Sequence, residues 1–210
     1  MRLIAVGCEY TGKTTLLESL MTWGAERGIR FHLDDHFSIP DRQFLSPADK
    51  QVMLNLTPVL KERFQRFQVV YHVRLLDKYE HILLAGFHIE EAVYGPLYYY
   101  PGIAFPWNRE FEKEMPDDVI LLLLTARPDV IERRMTGTPH ESPIVQKQDI
   151  EKVLRRFEEE FGASWIKHKI QVDTSDMTPD DLSRTFHQVV IPHLNTRDLL
   201  ARMAHTMHGL

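Results

Sequence analysis

The feature that most constrains this chain is a glycine-rich loop between a short apolar run and a helical pattern. Residues 3–6 read LIAV, and residues 7–15 read GCEYTGKTT. The loop matches G-x-x-x-x-G-K-[ST] in full, a motif that folds between a β-strand and an α-helix. Its glycines let backbone N–H groups point at phosphate oxygens, and the following helix adds the positive end of its dipole. The sequence therefore predicts a phosphate-binding loop at residues 7–15, called the phosphate loop below.

The residue types of the phosphate loop predict how it would hold a nucleotide. We expect Lys13 to reach the β- and γ-phosphates and the Thr14 hydroxyl to bind Mg²⁺. Cys8 occupies a variable position of the motif and is expected to be tolerated rather than catalytic. The residues expected to contact the nucleotide are Gly7, Glu9, Tyr10, Thr11, Gly12, Lys13, Thr14 and Thr15.

The rest of the chain predicts strands that alternate with helices. After the first strand, strands are predicted at residues 29–33, 81–85, 119–125 and 170–172. The run at 119–125 is almost wholly apolar, which is typical of a strand covered on both faces. Alternation of this kind predicts an α/β protein with the three-layer fold of P-loop NTPases, in which helices cover both faces of a five-stranded, mainly parallel sheet.

The same patterns predict how the chain is divided. We expect one domain over residues 1–194, with a cover loop at about residues 136–148. Residues 195–210 are expected to form an amphipathic helix that packs on the domain or on a partner.

Composition excludes several classes of protein. The 210 residues carry a formal net charge of −5, so no general nucleic-acid binding is expected, since that requires a basic surface. The one cysteine allows no intrachain disulfide and suits a reducing compartment. No apolar run is long enough to cross a bilayer, and the N-terminal run of four residues is too short for a secretory signal. We therefore expect a cytoplasmic protein with no membrane partner.

Two carboxylates follow the second predicted strand, at the sheet edge where α/β folds bind ligands. Asp35 is our candidate for the base that accepts a proton from an acceptor hydroxyl, and Asp34 is a candidate metal ligand. The alternative is that both residues cap a turn or a helix. The aromatic residues between positions 94 and 107 have two interpretations as well, because they suit either a pocket for a planar ring or a wedge against the core.

Missing motifs narrow the chemistry further. No Asp lies three residues before any of the ten glycines, as the D-x-x-G motif of GTPases requires, and the guanine-like string QKQD at 146–149 does not follow a predicted strand. Motors and helicases generally need longer chains. A small kinase needs a phosphate loop, an acceptor site near the second strand and an arginine-bearing cover that excludes water, and the sequence favours this class.

The chain resembles the nucleoside and nucleotide kinases, and thymidylate kinase in particular, over most of its length. The resemblance lies in the phosphate loop, the string AVYG at 92–95, the run at 121–134 and the loop at 173–175. It implies a Mg²⁺-ATP-dependent phosphotransferase with a small nucleoside-like acceptor. By this resemblance Asp173, Thr174 and Ser175 would hold the adenine, and Arg127, Arg133 or Arg134 would close over the γ-phosphate. The string DDHF at 34–37 is similar to the Asp-Asp-Phe of uridine and nicotinamide riboside kinases, where an Asp is the catalytic base.

The chain departs from thymidylate kinase after its third strand. Thymidylate kinases carry Asp-Arg where this chain has Gly86, Phe87 and His88. The change removes an acidic partner of Mg²⁺ and a ligand of the acceptor's phosphate, so a hydroxyl-bearing acceptor becomes more attractive. The metal must then be helped by Asp34, Asp35, Glu90 or Glu91, and the residues expected near the acceptor are His88, Glu91, Tyr94, Tyr98 and Trp107.

Two other functions fit the same motifs. One is a kinase of a different hydroxyl, such as that of a sugar, an antibiotic, a polynucleotide 5′ end or a modified base. The other is a nucleotide-binding NTPase or regulatory module without an acceptor. The sequence also leaves open whether ATP or GTP is the donor and whether the chain forms a homodimer.

Overall fold

The fold is built on five parallel strands. A computed structural model of the protein describes residues 1–34, 46–103, 106–140 and 143–207. The strands are β1 (Arg2–Val6), β2 (His32–Asp34), β3 (Ile82–Ala85), β4 (Val119–Thr125) and β5 (His168–Asp173). Their order across the sheet is β2-β3-β1-β4-β5, and every pairing is parallel. The predicted α/β class with a five-stranded parallel sheet is confirmed.

Helices connect the strands and cover both faces of the sheet. They are α1 (Lys13–Glu26), α2 (Pro47–Leu54), α3 (Pro58–Lys78), α4 (Phe87–Tyr94), α5 (Asn108–Glu112), α6 (Pro128–Gly137), α7 (Ile150–Ala163), α8 (Pro179–Val189) and α9 (Thr196–Met207). Two of them begin at side-chain caps. The Ser46 hydroxyl accepts a hydrogen bond from the N–H of Asp49, and Thr178 forms a reciprocal capping box with Asp181 before α8.

The core has two layers, one on each side of the sheet. Side chains alternate along β1, so Ile4 and Val6 face one layer and Leu3 and Ala5 face the other. The first layer is completed by α3, α4 and α7, and the second by α1 and α8. Because helices cover both faces of the sheet, both sides of β4 are buried, and its residues 119–124 are all apolar.

The segment after β3 is largely helical. It contains α4, a π-helical turn over Gly95–Tyr99, and the short helix α5. Tyr94 and Tyr100 are buried in the core, and a Cβ at Gly95 would lie 2.2 Å from the Tyr100 hydroxyl. These two tyrosines therefore wedge the chain against the core, which is the second of the two interpretations offered for the aromatic residues.

The residue before the C-terminal helix α9 makes a polar contact with the rest of the fold. Asn195 donates a hydrogen bond of 2.7 Å to the Asp118 carboxylate, which also pairs with Arg2. Leu194 packs against the core layer that includes α1 and α8. Within the described ranges, the structure contains no helix that is both long and apolar enough to cross a membrane.

We expect the protein to lose stability in mild acid through His187. Its ring lies 4.8 Å from that of Trp23, and its Nε2 atom is buried without a hydrogen-bond partner among the described residues. Burial, helped by Arg202 and Arg27, lowers the pKa of His187 to about 4. Unfolding returns the pKa to about 6.5, so only the unfolded chain gains this proton as the pH falls from about 6.5 to about 4. The free energy of unfolding must therefore decline across that interval.

Chemical denaturation at pH 7 and pH 5 measures the decline. The variant His187→Gln, which does not titrate at this position, should lose less stability between the two pH values than the wild-type protein. Equal losses for both proteins would contradict the role of His187.

Candidate active site

The phosphate loop lies between β1 and α1, at the carboxyl edge of the central strand. Gly7 has a φ of +146°, and a Cβ at this position would lie 2.2 Å from the carbonyl oxygen of Leu124 in β4. Only glycine permits so close an approach of the two backbones. The Thr11 hydroxyl donates a hydrogen bond of 2.7 Å to the Cys8 carbonyl, which holds the loop in a compact turn.

Lys13 is the first residue of α1, and its side chain folds back over the loop. The ammonium donates to the Gly7 carbonyl and, at 3.3 Å, to the Cys8 carbonyl. It also lies 3.7 Å from the Glu90 carboxylate. The Lys13 ammonium therefore lies directly beside the phosphate loop. Phosphate oxygens bound there would compete with the two carbonyls for its hydrogen bonds.

Tyr94 supports the loop from below. Its hydroxyl accepts a hydrogen bond of 3.1 Å from the N–H of Glu9, and its ring meets the ring of Phe157 edge-on at 5.3 Å. Cys8 is fully buried, and burial raises the pKa of its thiol to about 12. A thiol that stays protonated at neutral pH is a poor nucleophile.

Part of the predicted cover loop is fastened to the phosphate loop by side chains of the loop itself. The Glu9 carboxylate accepts hydrogen bonds of 2.9 Å and 2.8 Å from the N–H groups of Ile144 and Val145. The rings of Tyr10 and His140 stack with centroids 4.0 Å apart, and the Tyr10 hydroxyl accepts from the His140 N–H at 2.9 Å. The loop positions that the motif leaves variable thus hold the cover in place. Residues 141–142 of the cover lie outside the described residues.

Arg134 joins three segments at the other wall. This residue of α6 donates to the Tyr10 carbonyl at 2.9 Å and to the Thr174 carbonyl at 2.6 Å. The Thr174 hydroxyl in turn donates to the Thr11 carbonyl at 3.0 Å. Burial, together with the neighbouring Arg133, lowers the pKa of Arg134 below its ordinary value. The arginine therefore ties the loop after β5 to the phosphate loop.

These segments line an open cavity of about 590 Å³ above the phosphate loop. Its floor is formed by residues 8–15, and its walls include predicted residues such as Arg134 and Thr174. Thr138, His140 and Ile144 belong to the predicted cover loop, whereas sequence reasoning missed four other lining residues, namely Met177, Thr178, Pro179 and Leu182. No local pattern could have found them, because distant segments reach the cavity only when the cover and the loop after β5 fold against the phosphate loop.

The other two predicted arginines, and the residues on either side of Thr174, do not share the surroundings of Arg134. Arg127 is exposed and makes two hydrogen bonds, of 2.8 Å and 2.9 Å, to the Asp176 carboxylate. Arg133 is exposed, and neither arginine lines the cavity. The Asp173 carboxylate accepts a hydrogen bond of 2.8 Å from the N–H of Ser175. This bond shapes the loop that carries Thr174.

The carboxylates expected to act near the acceptor lie in separate places. Asp34, at the end of β2, is buried, and its Oδ2 atom lies 3.4 Å from Nε2 of His72, a residue that the sequence did not suggest. Asp35 lies outside the described residues. Glu91 is buried and accepts a hydrogen bond of 2.9 Å from the Tyr100 hydroxyl, so it is directed into the core.

The other residues expected near the acceptor are also spread out. His88 is fully buried, and its Nε2 atom lies 2.8 Å from the Glu112 carboxylate. Burial lowers the pKa of His88. Tyr98 is half-buried near Asp149, and Trp107 is exposed with the Arg66 guanidinium 5.1 Å from its ring centroid. None of the three lines the described part of the cavity.

The cavity has oxygen donors suited to Mg²⁺. Thr14 and Glu90 both line it, and hydroxyl and carboxylate oxygens are ligands that Mg²⁺ prefers. Over the described ranges, no group of three or more His, Cys, Asp and Glu side chains could hold a metal ion by itself. This arrangement fits an ion that takes its remaining ligands from nucleotide phosphates and water.

A phosphate loop at the end of the central strand of a parallel sheet defines the P-loop α/β fold. Solved structures with this fold resemble the chain. The YorR protein of Bacillus subtilis, in complex with phosphorylated GDP, matches at a TM-score of 0.62 and 17% identity over 93% of this chain and 99% of its own. Thymidylate kinase from Candida albicans matches at a TM-score of 0.58 and 17% identity, over 90% of this chain and 89% of its own. Deoxyadenosine kinase from M. mycoides with bound dATP matches at a TM-score of 0.60 and 13% identity, over 90% of this chain and 99% of its own.

The resemblance to nucleoside and nucleotide kinases, thymidylate kinase among them, is thereby confirmed at the level of the fold. Neither a protein-family model nor a curated protein matches the chain.

Proposed function

We propose that this protein is a Mg²⁺-ATP-dependent phosphotransferase of the nucleoside and nucleotide kinase type. It transfers the γ-phosphate of ATP to a hydroxyl of a small nucleoside-like acceptor. The observation that carries the proposal is the cavity above the phosphate loop, where Lys13, Thr14, Arg134 and Thr174 converge. The kinases named among the structural neighbours support the same type of reaction.

The donor nucleotide would lie across the phosphate loop. Backbone N–H groups of the loop and the Lys13 ammonium bind the phosphates, and the loop at Asp173, Thr174 and Ser175 holds the base. Thr14 is one of the residues that would hold Mg²⁺, which draws charge from the β- and γ-phosphate oxygens when bound. Arg134 is the best placed of the three predicted arginines to neutralise charge on the γ-phosphate, because it is the one that lines the described cavity.

The cover loop supplies the remaining requirement of a kinase, which is to keep water from the γ-phosphate. Its attachment through Glu9 and Tyr10 holds the cover on the loop that binds the phosphates. A cytoplasmic location, the division at residue 194 and the homodimer remain predictions.

We expect Asp35→Asn to reduce kcat by about 10²-fold or more at saturating acceptor, because the amide cannot take the proton of the attacking hydroxyl. ATP affinity should change little, since the proposed role lies on the acceptor side. The matched control is Asp49→Asn, an exposed position of α2. Steady-state kinetics with labelled ATP gives both quantities, and an unchanged kcat for Asp35→Asn would remove this residue from the mechanism.

A screen of acceptors tests the proposal as a whole. Nucleosides and nucleotides are first ranked by the shift in thermal unfolding that they cause with Mg²⁺, because a ligand that binds the folded state stabilises it. The best candidates are then incubated with γ-labelled ATP, and transfer of the label to a nucleoside hydroxyl is expected. Transfer of the label to a sugar, an antibiotic or a polynucleotide end would show that the acceptor belongs to that class and is not a nucleoside. Hydrolysis that no acceptor stimulates would favour an NTPase module instead.

A further inference from the structure

The chain turns sharply where β3 ends, and the turn makes room for a carboxylate. Gly86 has a φ of +83°, and α4 begins at the next residue. A Cβ built at Gly86 would lie 2.4 Å from Oε2 and 2.6 Å from Cδ of Glu90. The Glu90 carboxylate therefore occupies the space in which a side chain at position 86 would begin, and any residue other than glycine there would displace it.

The Glu90 carboxylate lies beside the phosphate loop, and the described residues do not give it the hydrogen bonds that a buried structural carboxylate normally accepts. Glu90 lines the cavity, and its side chain is 13% exposed. Its Oε2 atom is buried and has no hydrogen-bond partner within the described part of the chain, although the Lys13 ammonium lies 3.7 Å away. Burying a carboxylate oxygen without a hydrogen bond is costly. The fold thus holds a carboxylate oxygen beside the phosphate loop that accepts no hydrogen bond from the described residues.

The other nearby carboxylates are engaged elsewhere. Glu91, on the next position of α4, accepts the Tyr100 hydroxyl proton in a hydrogen bond within the core. Glu9 accepts the N–H groups of the cover loop. Asp34 lies against His72 and does not line the described cavity. Glu90 is consequently the carboxylate of the described cavity wall that stays available to a ligand above the loop.

We propose that Glu90 supports the Mg²⁺ of the bound nucleotide, and that Gly86 is required because it leaves space for this carboxylate. The inference rests on the proposed function, since it concerns the metal of the same nucleotide. With phosphates bound, the Lys13 ammonium would turn to them, and the Glu90 carboxylate would be one of the oxygen groups that hold the ion.

Binding of Mn²⁺ by the complex of the full chain with ADP tests this without turnover. Electron paramagnetic resonance measures free Mn²⁺, and calorimetry measures ADP affinity in the absence of metal. For Glu90→Gln we expect Mn²⁺ affinity to fall about 10-fold or more, within the range seen when groups supporting a metal are removed. ADP affinity without metal should be unchanged or higher, because a negative charge beside the phosphates is lost. Glu132→Gln, at an exposed position of α6, is the matched control and should behave as wild type.

A conservative variant separates the metal role from a structural one. Glu90→Asp keeps a carboxylate on α4 and leaves Gly86 at its φ of +83°, which favours glycine. We expect it to keep part of the Mn²⁺ affinity that Glu90→Gln loses. Thermal unfolding without ligand checks that each variant is folded. If wild type binds ADP and phosphorylates an acceptor while Glu90→Gln keeps full Mn²⁺ affinity, this inference is wrong and the proposed function stands. If wild type binds no ADP, both are overturned.

Discussion

Replacing Lys13 with alanine is expected to reduce phosphoryl transfer by about 10²- to 10³-fold, the usual cost of removing one preorganised donor to developing charge. The ammonium lies against the Gly7 and Cys8 carbonyls of the phosphate loop, beside the phosphates that the loop would bind. The loss should appear mainly in kcat, because the backbone N–H groups that bind the phosphates remain. Steady-state kinetics with the acceptor identified by the screen measures both kcat and the KM for ATP.

The Lys13 variant needs a check on folding, because it leaves the Glu90 carboxylate without its neighbouring cation. Circular dichroism and thermal unfolding provide that check. Lys152→Ala, which removes an exposed lysine of α7, is the control for a general change of charge. Transfer at the wild-type rate by a folded Lys13→Ala protein would show that this is not a P-loop kinase.

Replacing Arg134 with alanine should lower kcat/KM for ATP by about 10²-fold or more. The variant removes a positive charge from the cavity and leaves two carbonyls, those of Tyr10 and Thr174, without the guanidinium that joins them. Arg134→Lys keeps the charge but not the planar fork, so it should recover only part of the activity. The contrast between the two variants separates neutralisation of the phosphate from attachment of the loop after β5.

Arg155→Ala, at an exposed position of α7, is the control for Arg134 and should have wild-type kinetics. Comparison with Arg127→Ala and Arg133→Ala then tests which of the three predicted arginines acts. Both residues are exposed and lie outside the described cavity wall, so their loss should cost far less than that of Arg134. A larger loss for Arg133→Ala than for Arg134→Ala would reverse the assignment.

The position and shape of the phosphate loop could be predicted from the sequence because their determinants are local. The eight-residue motif at 7–14 identifies the phosphate loop, and the apolar run before it and the helix after it are set by patterns of a few residues. The caps at Ser46 and Thr178 are also local features, since a cap depends on a side chain and on N–H groups at most three residues away. The α/β class followed from the alternation of strands and helices.

The acceptor side could not be predicted in the same way. Glu90 and Glu91 are neighbours in the sequence and equivalent in type, yet one faces the phosphate loop and the other faces Tyr100 in the core. Which of them does so depends on where α4 begins, and that depends on the positive φ of Gly86. The aromatic residues presented the same difficulty, because Tyr94 is buried beneath the loop whereas Trp107 is exposed.

By itself the sequence determined that this chain contains a phosphate loop and a parallel α/β sheet, because both follow from short-range backbone chemistry and from the alternation of apolar and polar residues. Only the tertiary structure decided the strand order, with β1 between β3 and β4, and the walls of the cavity. Those walls join residues more than a hundred positions apart, such as Tyr10 with His140 and Thr11 with Thr174. Contacts of that range are selected by packing of the whole core, which no local pattern encodes.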